Sequence, residues 1–161
     1  MKVVIIMGSK IDIEWANQIR NVLSDFEIQT IIRIASAHKV PLKCYDLIKQ
    51  YEKENAIFIT IAGMSNALSG FTDAQTYCPV IACPPYSDKF GGSDIYSSIR
   101  MPSGVAPLTV ITPENAAIAA AKIIALSNPK VRKKVISYQE NKRKELEDAD
   151  LRLQQNNGGE V

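Results

Sequence analysis

The chain contains one histidine, His38, set in the run Ile34-Ala35-Ser36-Ala37-His38-Lys39. Imidazole is the side chain whose unperturbed pKa, ~6.5, lies beside physiological pH, so it can both take up and release a proton there. A protein that moves protons between carbon and a heteroatom would use His38 as the carrier; the plainer reading is a surface histidine. Lys39 beside it either neutralises an anion or is a solvated lysine. Gly8-Ser9, at the start of a helical pattern, either seats an anion on backbone N–H groups at the positive end of a helix dipole or simply caps that helix. Ser9-Lys10-Ile11-Asp12 has the form of a capping box, and Asp12 either completes the cap or accepts hydrogen bonds from sugar hydroxyls. Ser65-Asn66 after Gly63 supplies cap chemistry for a third helix. Neither Gly-x-Gly-x-x-Gly nor Walker spacing occurs, which disfavours a dinucleotide or ATP.

These residues need elements to bring them together, and the pattern supplies an alternation of strand and helix. Lys2–Met7 reads as a buried strand, followed by a helix with Trp15, Ile19, Val22, Leu23 and Phe26 on one face. Ile28–Ile34 is a second strand. Pro41 suits the first turn of a second helix, with Leu42, Tyr45, Ile48 and Tyr51 expected on its inner face. Ala56–Ile61 is a third strand, and a short helix follows to about Thr76. Pro79–Ala82 is a fourth strand, which leads into a Pro-, Gly- and Ser-rich loop from Cys83 to Asp94 and a helical turn at Ile95–Arg100. Leu108–Ile111 is a fifth strand. Thr112-Pro113 opens an alanine-rich helix to about Leu126, and Asn128-Pro129 a charged helix to about Leu153. Between Asn128 and Leu153 there are eight Lys/Arg and five Asp/Glu. Such a charge-rich helix is either a solvated face or, with the thin apolar stripe Val131, Val135, Tyr138, Leu146, Ala149 and Leu153, packs on a neighbouring subunit.

Strands alternating with helices give a parallel sheet covered on both faces, and such sheets bind ligands at the carboxyl ends of their strands. Gly8-Ser9, Ser36-Ala37-His38-Lys39, Gly63-Met64-Ser65-Asn66 and Cys83-Pro84-Pro85 each follow a strand. Small residues, hydroxyls, the histidine and a lysine therefore converge on one rim. Asp88–Ser93 is either a mobile loop near that rim or a solvated turn.

The 161 residues fit one domain, taken as 1–155, with 156–161 expected to be a disordered tail. The 19 basic and 17 acidic residues nearly cancel, so no nucleic-acid or membrane partner is expected. The three cysteines, Cys44, Cys78 and Cys83, lack framework spacing, which points to reduced thiols and a cytoplasmic protein. With one histidine and no Cys-x-x-Cys, no metal is expected.

Taken in order, the motifs carry a resemblance. Met7-Gly8-Ser9 with Asp12, Ser36-Ala37-His38-Lys39, Ala62-Gly63-Met64-Ser65-Asn66-Ala67-Leu68-Ser69-Gly70, Cys83-Pro84-Pro85 and Ser97-Ser98-Ile99-Arg100-Met101-Pro102-Ser103-Gly104 together resemble the PurE family of purine biosynthesis, from about Met7 to Leu126. Lys39 in place of arginine, and a Gly63–Gly70 loop without histidine, resemble its class II branch. That branch comprises the aminoimidazole ribonucleotide (AIR) carboxylases, which use CO2 directly. The resemblance implies a flavodoxin-like three-layer α/β/α sandwich with an extended charged C-terminal helix, assembled as a homo-octamer with sites between protomers. It implies that His38 shuttles the proton at C4 of the imidazole and that Ser9, Asp12, Ser36 and Lys39 hold the ribose phosphate. Gly63 and Ser65 would help form the CO2 and base pocket, with no cofactor. The alternatives are an N5-carboxy-AIR mutase, a relative acting on another heterocycle, and a protein that only binds nucleotide. Two positions depart from the family pattern: Ile11 replaces a hydroxyl and Met64 an arginine. Lys10 is the residue expected to compensate.

Overall fold

Five short apolar strands, each leading into a helix, leave the chain one economical solution, a parallel sheet between helical layers. The computed structural model describes residues 1–157 and shows that arrangement. Strands β1 (Val3–Met7), β2 (Thr30–Ile34), β3 (Ile57–Ile61), β4 (Val80–Ala82) and β5 (Leu108–Thr109) form one sheet in the order β2-β1-β3-β4-β5. Every pairing is parallel, with Val3 opposite Thr30 on one side and Ile57 on the other. This is the flavodoxin-like doubly wound order, and its switch point lies between β1 and β3.

Strand side chains alternate between faces, so β1 divides its residues between two cores. Val3, Ile5 and Met7 join Ile57, Ile59, Ile61 and Ile81 under helices α1 (Ile13–Asp25) and α5 (Pro113–Ala125). Val4, Ile6, Phe58 and Val80 face α2 (Pro41–Glu52) and α3 (Ala67–Ala74). Burial on both faces explains why β1 reads as an unbroken apolar run and β3 as one interrupted only by the buried Thr60. β2 lies at the sheet edge, is only partly covered, and begins at Thr30, two residues later than the apolar run at Ile28.

The inner face of α2 is rotated from the expected one. Cys44, Leu47, Ile48 and Tyr51 are buried, whereas Leu42 is 79% and Tyr45 41% exposed. Both sets have helical spacing, and the small thiol of Cys44 is fully buried in the core beneath the helix.

In α5 the buried residues Ala116, Ala117, Ala120, Ala121 and Ile124 make a flat face that lets the helix lie close to the sheet and α1. Helix α6 (Pro129–Asn157) follows, capped by Asn128, whose Oδ1 accepts from the N–H groups of Lys130 and Val131 at 3.0 and 3.2 Å. Arg132 turns back to donate to the carbonyls of Ala125 and Leu126 at 2.9 and 2.8 Å, satisfying the end of α5. Val131 and Val135 are buried and Tyr138 packs on Phe26, whereas Leu146, Leu151 and Leu153 stand exposed. The helix runs through Asn157, so it includes the first two residues of the expected tail; 158–161 lie outside the described residues. No helix among the described residues is long and apolar enough to cross a membrane.

Candidate functional site

The carboxyl ends of β1, β2, β3 and β4 open into one cleft of about 470 Å³ beside the switch point. Ser9 and Asp12 reach it from the turn after β1, Ser36, His38 and Lys39 from the turn after β2, and Gly63 and Ser65 from the loop after β3. Every site residue expected from the motifs therefore lines the same cavity. The loop after β4 forms its remaining wall with Pro85, Tyr86, Ser87 and Lys89. Pro85 belongs to the strand-end motif Cys83-Pro84-Pro85 and Lys89 to the Asp88–Ser93 loop, but Tyr86 and Ser87 carried no signal, because a Pro/Ser/Gly loop has no periodicity to aim its side chains.

The turn after β1 is built by local capping. Gly8 donates its N–H to Ile61 O at 2.8 Å, and a Cβ on it would stand 3.4 Å from Ala62 Cβ, so glycine keeps the tips of β1 and β3 close. Ser9 is the N-cap of a 3-10 turn at Lys10–Asp12, its hydroxyl oxygen accepting from the Ile11 N–H at 3.4 Å. The expected capping box is thus altered: the bond goes to residue 11, and Asp12 sits at the N-cap of α1 without making a side-chain cap bond there. Burial holds the Asp12 carboxyl above its ordinary pKa, with the backbone N–H of Ser9 pulling the other way.

The turn after β2 has the same logic. Ser36 Oγ accepts from the Lys39 N–H at 3.3 Å, and Ser36 O accepts from the Val40 N–H at 2.9 Å, closing the turn that carries His38. Ser9 and Ser36 each accept from a backbone amide, so each keeps its own hydroxyl proton available for an oxygen acceptor in the cleft. His38 and Lys39 are exposed at the rim. No ion pair engages Lys39 or Lys89 among the described residues. Two lysines and two hydroxyl donors make the cleft suited to an anion.

After β3 the chain turns at Met64, whose φ of 60° is left-handed. Asn66 then caps α3, its Oδ1 accepting from the Ser69 N–H at 3.2 Å, as the Ser65-Asn66 pattern suggested. Ile11 and Met64, the two departures from the family pattern, both line the cleft, so they put apolar surface at its mouth. Lys10 is not among the lining residues; Lys89 is the additional cation there. Behind the wall, buried Cys83 accepts from Trp15 Nε1 at 3.3 Å, and burial pushes its thiol up to about 11. Cys83 is structural and does not line the cleft.

A doubly wound parallel sheet with such a cleft at its switch point defines an α/β protein that holds a small anionic ligand on its strand tips. A family model described as AIR carboxylase matches residues 2–145. A phosphoribosylaminoimidazole carboxylase of Archaeoglobus fulgidus is 61% identical over 95% of this chain and 85% of its own length. A phosphoribosylaminoimidazole carboxylase of Treponema denticola is 45% identical over 94% of this chain and 96% of its own. The crystal structure of Treponema denticola PurE superposes with a TM-score of 0.92 at 45% identity, covering 94% of this chain and 97% of that one. The chain belongs to the AIR carboxylase family, whose members are enzymes of purine biosynthesis.

Proposed function

We propose that this enzyme carboxylates AIR at C4 with CO2 to give 4-carboxy-AIR, and that His38 carries the proton. The observation that carries the reading is the gathering of the only histidine with Ser9, Asp12, Ser36, Lys39, Gly63 and Ser65 around one strand-tip cleft, in a chain of this family. AIR is an electron-rich enamine. Its C4 attacks the CO2 carbon, forming the C–C bond while one C=O electron pair moves onto oxygen. The imidazole of His38 then takes the C4 proton, the ring regains aromaticity, and the carboxylate remains. The protein's share of the work is to position the two reactants and to place one base. Lys39 and the hydroxyls of Ser9 and Ser36 hold the phosphate, Asp12 takes the ribose hydroxyls, and Gly63 with Ser65 borders the base and CO2.

His38 is exposed in the single chain, so keeping water from the reacting carbon falls to the substrate and to a neighbouring protomer. The exposed distal part of α6 supports a homo-oligomeric enzyme, an octamer by the family resemblance, and the three free cysteines support a cytoplasmic one. Mixing the protein with AIR and bicarbonate and following carboxy-AIR absorbance tests the reading. Turnover with bicarbonate and none with N5-carboxy-AIR is expected. The reverse pattern assigns a mutase, and inertness toward both leaves a nucleotide-binding protein.

A further inference from the structure

We propose that Asp94 is a positioning residue of the cleft: its carboxylate pins the left-handed turn at Met64 and so sets Gly63 and Ser65 against the nucleotide. The inference rests on the nucleotide reading above and adds to it a residue that neither lines the main cleft nor belongs to the motifs first singled out.

Met64 is not a glycine, yet its φ is 60°. An L-residue with a long side chain enters that region only when its surroundings compel it. Here the compulsion has an address 30 residues away in sequence: the Met64 N–H donates to Asp94 Oδ2 at 3.2 Å. The next segment of the chain completes the clamp. Ser97 Oγ accepts from the Asn66 N–H at 3.0 Å, and its one proton lies between two acceptors, Asp94 O at 2.7 Å and Met64 O at 2.8 Å. Asn66 Nδ2 donates to Ser98 Oγ at 3.0 Å. The loop after β3 is thus tied at the Met64 N–H and at Asn66 to the 94–98 segment; Gly63 adjoins the tied stretch and Ser65 lies within it.

Asp94 is the charged member of this set. No ion pair engages it among the described residues, so its carboxylate is free to serve the amide. A carboxylate acceptor makes a stronger bond to an N–H than a neutral group does, which suits a turn that must be held against its own preference. Gly63 runs beside the same group: a Cβ there would stand 4.0 Å from both Asp94 Oδ2 and Pro85 Cδ, an ordinary contact distance, so its backbone lies between the clamp and the wall of the cleft. Removing the carboxylate frees Met64 to relax out of the left-handed region, and the peptide groups on either side turn with it.

The test compares Asp94→Ala, Asp94→Asn, Met64→Gly and the double variant Asp94→Ala/Met64→Gly in the full chain, reading AIR affinity and the hydrogen exchange of the Met64 amide. Asp94→Ala is expected to weaken AIR binding about tenfold and to speed exchange at Met64 by at least about tenfold. Asp94→Asn, which keeps an acceptor oxygen, recovers most of both. Glycine adopts the left-handed turn unaided, so in the Met64→Gly background loss of Asp94 changes affinity by less than about threefold. Wild-type affinity and exchange in Asp94→Ala overturn the proposal, as does a loss of equal size in both backgrounds. Failure of the wild-type protein to bind AIR would instead remove the nucleotide reading, while exchange at Met64 would still decide whether the clamp exists.

Discussion

His38 stands on a turn held by Ser36 and shares its cleft with the hydroxyls of Ser9 and Ser36 and the ammonium of Lys39, to which the proposed function gives other parts of the substrate. Removing the imidazole should therefore stop proton transfer without emptying the cleft. His38→Asn is expected to lower kcat by about 10²- to 10⁴-fold, with nucleotide affinity within a few-fold of wild type by titration calorimetry. Retention of the wild-type rate would end its role as proton carrier. Asp12 carries a different expectation. Its folded-state pKa is raised above the ordinary 3.8 by burial, so the folded chain binds a proton more readily than the unfolded one just above that value. Stability then falls as pH rises through this window and is recovered on acidification. Relative to Asp12→Asn, which cannot titrate, the wild type should gain urea resistance as pH drops from 7 toward 4; a relative loss would show that the ionised carboxylate is the stabilising form. The site residues were legible because each lies within a short polar motif directly after an apolar strand. Tyr86 and Asp94 were not: Tyr86 sits in a loop with no periodicity to aim it, and the role of Asp94 depends on its tertiary bond to Met64.

Among the elements, strands β1 and β3 and the alanine-rich α5 were readable from composition and period alone, since burial on two faces removes polar residues. Helix α2 was placed correctly but turned about its axis. Spacings of three and four fit both Leu42-Tyr45-Ile48-Tyr51 and Cys44-Leu47-Ile48-Tyr51, and only the sheet beneath decides between them. The observed face makes a paired prediction. Leu47, 4% exposed, should cost about 2–5 kcal/mol when changed to alanine. Leu42→Ala, at an exposed position, should stay within about 0.5 kcal/mol of wild type. Urea unfolding midpoints of the two variants check both, and a larger loss at Leu42 would restore the face first expected. The ends of α1 and β2 were less legible because a 3-10 turn precedes the helix and the apolar run starts before the ladder does.

For the whole molecule, α6 divides into a half that serves the protomer and a half that does not. Its first turns bury Val131 and Val135, and Lys134 donates to Asp25 O at 3.1 Å. Beyond Tyr138, Leu146, Leu151 and Leu153 are 74%, 54% and 61% exposed. If the distal half packs between protomers, Leu146→Gln with Leu153→Gln should lower the mass of the assembly by light scattering while leaving the far-UV circular dichroism per residue unchanged. An assembly of unaltered mass would assign that stripe to solvent. The sequence displayed the stripe but not its division, because the packing of Tyr138 on Phe26 that ends the buried part joins distant segments.

The chain's single tryptophan, Trp15, leans its indole N–H on the Cys83 thiol immediately before the segment that walls the cleft. Sulfur in contact with an excited indole quenches its emission, so this protein carries a built-in optical gauge. Any event that shifts the Pro84–Lys89 wall, whether ligand arrival or subunit docking, can be followed as a change in intrinsic fluorescence without attaching a dye.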